Sequence, residues 1–184
     1  MSPRFFAAGL VFLAVLVGVP ACRTRPIGRI EPLPPTATEA LVRAQTELRS
    51  NAIDREARAR RALDDALSIA PTWVAPRRLL DEIARAELQG VEALQAHLAA
   101  LARRPDDAGE LYLAGRLEGL DGVERFERAV RADPDLAWGH HGLAWGAGAR
   151  GEMKGACDHA RDALLRARDA WERTFFTGIG LPSA

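Results

Sequence analysis

Cysteine is almost missing from this 184-residue chain: Cys22 and Cys157 are the only two. One closes an apolar run and the other stands alone, so no disulfide framework is available. Lysine is scarcer still. Lys154 is the only one against 24 arginines, and 25 basic residues balance 25 acidic ones. No net field therefore favours nucleic acid or an acidic surface. The charges are interspersed, as in Asp54-Arg55-Glu56 and Glu124-Arg125-Phe126-Glu127-Arg128, which is the pattern of solvated helix faces. A groove for single-stranded nucleic acid needs stacked aromatics along a basic track, and neither is present. Beyond the first residues, serine is confined to Ser50, Ser68 and Ser183, which leaves no Ser/His/Asp arrangement. No stretch alternates with period two, so a half-buried sheet is excluded.

No apolar run reaches the roughly 20 residues of a membrane-spanning helix. The longest, Phe5 to Val19, has fifteen uncharged residues behind the positive Met1–Arg4 and ends in Val19-Pro20-Ala21-Cys22. That length and order suit a cleaved export signal. The final four residues resemble the bacterial lipobox, in which cysteine becomes the acylated first residue of the mature protein. The resemblance implies a lipid anchor on Cys22, signal residues 1–21, and a place on the outer membrane facing the periplasm. Arg23, Arg25 and Arg29 follow the apolar run directly and oppose export, so an uncleaved anchor stays open. Residues 22–35, with Pro26, Pro32, Pro34 and Pro35, read as a proline-rich extended tether behind the lipidated cysteine.

From residue 36 onward the chain repeats itself. Pro71 and Pro105 are 34 residues apart, and Pro134 follows 29 later. Twelve, eight and five residues before each proline stand a small residue, a large one and an alanine. The sets are Ala59, Leu63, Ala66; Ala93, His97, Ala100; and Gly122, Phe126, Ala129. A fourth set, Ala156, Ala160 and Ala163, has Arg168 in the proline's place. Apolar residues recur at helical spacing throughout, for example Leu41, Ala44 and Leu48, or Leu79, Leu80, Ile83 and Leu88. Thr36 and Glu39 read as a capping box, and Asp107 with Glu110 as another.

This recurring second-helix signature resembles the tetratricopeptide (TPR) repeat, whose period is 34 residues. The resemblance covers about residues 36–170 and implies an all-α solenoid of about four helical hairpins. Residues 171–184 would form the end of a capping helix and a tail. Ala167, Trp171, Phe175 and Gly178 extend the last apolar stripe, so the final helix is expected to run on and turn its aromatics inward.

Signals of chemistry are weak. Gly146-Ala147-Gly148-Ala149-Arg150-Gly151 fits G-x-G-x-x-G, but it follows helical sequence and has no strand before it. His140, His141, Cys157 and His159 cluster in one repeat. Helical geometry lets at most two of them converge, short of the three or four ligands of a zinc site. No metal, cofactor, small-molecule substrate, nucleic acid or catalytic residue is expected, and the chain does not read as an enzyme.

What remains is a surface. The TPR resemblance implies that first helices line a groove holding a protein or peptide segment. Trp138, His141 and Trp145 share one stripe of the fourth repeat; Arg78 and Arg85 line the second, Tyr112 and Arg116 the third. Trp, Tyr and Arg are enriched at binding hot spots. Two uses are open to the tryptophans and to Gly139, Gly142 and Gly146 beside them. Either they face a partner across bare backbone, or they pack closely against the third repeat and the closing helix. The expected function is an envelope lipoprotein acting as an interaction adaptor or scaffold. The alternative is a permanent structural subunit of an envelope complex, and a small metal- or nucleotide-binding enzyme is the outlying reading.

Overall fold

The computed structural model describes residues 27, 28 and 30–178. Residues 1–26, 29 and 179–184 lie outside that range, and with them the expected signal sequence, the expected lipidated Cys22 and part of the expected tether. Among the described residues there are nine α-helices and no strand. They are α1 Pro35–Arg49, α2 Arg55–Ile69, α3 Val74–Ala86, α4 Gly90–Arg103, α5 Ala108–Glu118, α6 Val123–Ala132, α7 Ala137–Ala149, α8 Met153–Leu165 and α9 Ala170–Gly178. A 3₁₀ turn, Gly119–Gly122, joins α5 to α6. No described helix is long and apolar enough to cross a membrane. The fold is all-α.

Each helix packs on the next in sequence, and α5 also touches α3 and α7. Most of the residues read from the repeat form the core: Ala59, Leu63 and Ala66 in α2, His97 and Ala100 in α4, Phe126 and Ala129 in α6, and Ala163 in α8 are buried, whereas Ala93, Ala156 and Ala160 are only half-buried. Pro71, Pro105 and Pro134 each stand two residues past a helix end. The restriction that proline places on the residue before it accounts for the stop.

The shortened third unit is visible as an α5 of 11 and an α6 of 10 residues, joined by a tight turn. Gly119 lies at φ 69°, a left-handed conformation that favours glycine. A Cβ on Gly122 would sit 2.0 Å from the Gly115 carbonyl oxygen, so the two helices meet backbone to backbone. Along α7, Gly139, Gly142 and Gly146 face Val130, Phe126 and Val123 of α6. These glycines let two helices approach and do not expose bare backbone.

Four local expectations need correction. Thr36 does not cap α1: the helix starts at Pro35 with Pro34 as its cap residue, because proline suits the first helical position. Leu88 is not core. It is 91% exposed at φ 63°, in the turn that ends α3. The last helix does not continue from α8, because the chain breaks at Arg166–Asp169 and restarts. Asp169 Oδ1 accepts the backbone N–H of Glu172 at 2.7 Å, a helix cap that starts α9 afresh. The end of the tether is docked onto the fold: Leu33 is buried, the Gly28 N–H donates to Asp135 Oδ2 at 2.9 Å, and Arg168 Nε donates to the Glu31 carbonyl at 3.3 Å.

Candidate interaction groove

Three helices present their side chains to one face: α3 supplies Arg78, α5 supplies Tyr112, and α7 supplies Trp138 and His141. Helix α9 lies on that face. Trp138 packs against Phe175 in a tilted pair and against Phe176 edge to face, with ring centres 5.0 Å away in both cases, and His141 is 5.7 and 5.8 Å from the same rings. The Arg78 guanidinium sits 4.8 Å from the Phe175 ring centre and 5.7 Å from that of Trp138, a cation–π arrangement. Tyr112 packs on Trp138 and Phe126, and its hydroxyl is 3.3 Å from His141 Nδ1.

Helix α9 reaches the start of the fold as well. Thr38 donates to Asp169 Oδ2 at 2.7 Å, and Trp171 Nε1 donates to Gln45 Oε1 at 3.0 Å, both from α1. Trp73, at the start of α3, packs edge-on against Trp171 at 6.3 Å.

Glu172 holds this assembly in register. It is fully buried, yet three N–H donors satisfy it: Trp73 Nε1 at 3.0 Å and Trp138 Nε1 at 2.8 Å to Oε1, and the Arg168 backbone at 2.8 Å to Oε2. A buried carboxylate is tolerable only when bonded in this way.

The electrostatics follow from burial. His141 is pushed down to about 3, first by burial and then by Arg78 and Arg116, so its ring is neutral. Tyr112 is pushed up to about 12 by burial. Glu82 bridges Arg78 at 2.8 Å and Arg116 at 2.6 Å, spreading the two cations along the rim.

Of the residues read from sequence as partner-facing, Arg78, Tyr112, Trp138 and His141 therefore converge, with Arg116 joined through Glu82. Tyr112 and Trp138 are buried rather than open to a partner, because α9 and α6 cover them. Trp145 stays apart. It is 45% exposed, and its ring meets that of Phe126 edge to face at 6.4 Å. Arg85 is exposed two turns beyond Arg78. Sequence reasoning missed Trp73 and Glu172; Asp169-x-x-Glu172, a cap signature before an apolar stripe, was the available signal.

A second buried polar group lies between α3, α4 and α5. His97 Nε2 is 3.0 Å from Asp81 Oδ1 and its Nδ1 is 2.7 Å from Glu110 Oε2, while Arg77 also pairs with Glu110. Burial opposes charge on His97, but the two carboxylates outweigh it and raise the pKa to about 9. The Asp107 side chain accepts from the Glu110 N–H as a cap, and the Glu110 carboxylate is drawn to His97 instead of back to the cap. The glycine motif has Gly146 and Gly148 inside α7 and Gly151 in the following turn. Cys157 is a half-buried free thiol.

No family model matches the sequence, and no curated protein is similar enough to it to count as a relative.

Proposed function

We propose that this chain is a lipid-anchored, TPR-like helical-repeat protein of the cell envelope that works as an interaction adaptor, with α9 resting in its partner groove. The observation that carries this reading is the convergence of Arg78, Trp138 and His141 on the aromatic face of α9, with Tyr112 packed against Trp138. A face that receives an amphipathic helix bearing Trp171 and Phe175 one turn apart is chemically a receptor for such helices. The four helix pairs α1–α2, α3–α4, α5–α6 and α7–α8 support the repeat reading; the first three carry the small-large-small signature, and the fourth has alanine at all three positions, Ala156, Ala160 and Ala163. The lipobox-like end at Cys22 supports the anchor. The activity is capture without bond chemistry.

The test uses the full chain. Trp171→Ala with Phe175→Ala should loosen α9, and a labelled peptide of residues 168–178 should then bind the variant and ignore the wild type. Failure of the folded variant to bind the peptide would overturn the groove. Separately, Cys22→Ser should release the protein from membranes; a native membrane product beginning at unmodified Met1 would overturn the lipid anchor. The complete burial of Glu172 favours a second reading, a structural subunit whose groove never opens. On that reading the double variant unfolds instead of exchanging its helix.

A further inference from the structure

On the side of α7 away from α9, His140 meets His159 and Asp162 of α8. One donor atom from each of the three lies within 4.8 Å of the others. His159 and Asp162 are three apart on one helix, so they share a face, and the long α7–α8 contact carries His140 onto it. We propose that His140, His159 and Asp162 form a binding site for a divalent transition metal such as Zn(II), with water completing the coordination.

The unsatisfied atoms point to a ligand. His140 is 94% buried, and its Nε2 is 3.0 Å from the Pro134 carbonyl. A carbonyl only accepts, so Nε2 carries the proton and a neutral ring keeps its lone pair on Nδ1. That Nδ1 is buried without a partner, 4.0 Å from Asp162 Oδ2. His159 Nδ1 is also buried without a partner. Two orphaned imidazole nitrogens in residues that cluster with one carboxylate are a costly arrangement for structure alone.

The surroundings resemble those that orient metal ligands. The Pro134 carbonyl fixes the His140 ring, as an outer partner does for a metal-bound imidazole. Arg166 bonds the same carbonyl at 2.8 Å and holds Asp162 Oδ1 at 3.2 Å, which leaves Oδ2 turned toward His140. Ligand distances near 2.1 Å require donors about 3.4 Å apart in a tetrahedron, so the three must draw in by roughly 1 Å. Side-chain rotation of the half-buried His159 and Asp162 can supply that. Two nitrogens and one oxygen suit zinc, cobalt or nickel better than calcium or magnesium. Arg166 opposes a cation, so moderate affinity is expected.

The background is low, because the chain has only four histidines. Both ring nitrogens of His97 are engaged by carboxylates, and His141 is enclosed beneath α9. The experiment takes untagged full-length protein, stripped with chelator, and titrates it with Zn(II) against a chromophoric competitor and with Co(II) by visible absorption. One equivalent should bind, and the melting temperature should rise with free metal. His159→Gln and Asp162→Asn should each weaken binding by about tenfold or more, while the metal-free circular dichroism spectrum stays that of the wild type. His140→Gln is the third arm; if it fails to fold, the other two still decide. Absence of one-equivalent binding, or equal affinity in both folded variants, would overturn the site.

Discussion

Trp138→Ala is the perturbation that tests the packing of α9 most directly. The side chain is 2% exposed and touches Tyr112, His141, Trp171, Phe175 and Phe176. Truncating a buried tryptophan costs about 3–5 kcal/mol through lost burial and the cavity left behind. The change also removes a donor from buried Glu172, and a hydrogen bond to a charged group is worth about 1.5–3 kcal/mol. The terms overlap, because the cavity can admit water to the carboxylate, so about 5 kcal/mol is the expected total. For a domain of this size that lowers the melting temperature by about 10–20 °C. Trp138→Phe keeps a six-membered ring but removes the donor and the five-membered part of the indole, so it should lose about 2–4 kcal/mol, less than the alanine variant. Trp145→Ala provides the contrast: the ring is 45% exposed and pairs edge to face with Phe126, so about 1–2 kcal/mol is expected. Circular dichroism melts and urea titrations of the three variants supply the comparison. If Trp138→Ala costs no more than Trp145→Ala, α9 does not rest where the structure puts it.

Phe126→Ala should lose about 3–5 kcal/mol, because Gly142 and Gly115 pack directly on that ring and have no side chains to fill a hole; an unchanged urea midpoint would refute it. The His97 network makes stability depend on pH. Its folded pKa is raised from 6.5 to about 9, so its contribution is fully present below pH 6.5 and is lost as pH rises through 9. The shift corresponds to about 3 kcal/mol at most, and His97→Gln should flatten the alkaline slope in urea unfolding between pH 6 and 10. Leu88→Gly should raise stability by up to about 1 kcal/mol, since a left-handed leucine is strained and this one is exposed; a lower urea midpoint would refute that strain.

The parts legible in sequence were those fixed by local spacing. Helices, their proline stops and the small-large-small core positions are determined within one or two turns of chain, and Ala59, Leu63, Ala66, Phe126 and Ala129 are buried. The break before α9 was hidden because Ala167, Trp171 and Phe175 keep helical spacing across it by coincidence, while Asp169 held the opposing signal. His97 could be read as core but not as charged, because its partners Asp81 and Glu110 come from two other helices. Glu172 reads as a surface charge until Trp73 and Trp138 arrive from 99 and 34 residues away. The destination of Trp138 was undetermined for the same reason. Trp138, His141 and Trp145 all lie in α7, but what covers each of them depends on where the last helix returns.

That return sets a condition on any partner. On the proposed reading, α9 is a tethered competitor whose effective concentration is about 1 mM for a short connection. Were the free helix to bind the open groove at about 10 μM, the groove would be open about 1% of the time. A partner with the same aromatic spacing would then be weakened about a hundredfold and gain nothing over α9. It must reach something α9 leaves uncovered. The nine residues of α9 lie on Trp138 and His141, and the next member of the stripe, Trp145, remains exposed beside Phe126. A longer amphipathic helix running past the footprint of α9 would cover Trp145 as well as the shared surface. About 25 cal/mol per Å² of newly buried apolar area is the margin by which it could displace the resident helix. Selectivity in such an adaptor would therefore lie in the length of the incoming segment more than in its aromatic residues.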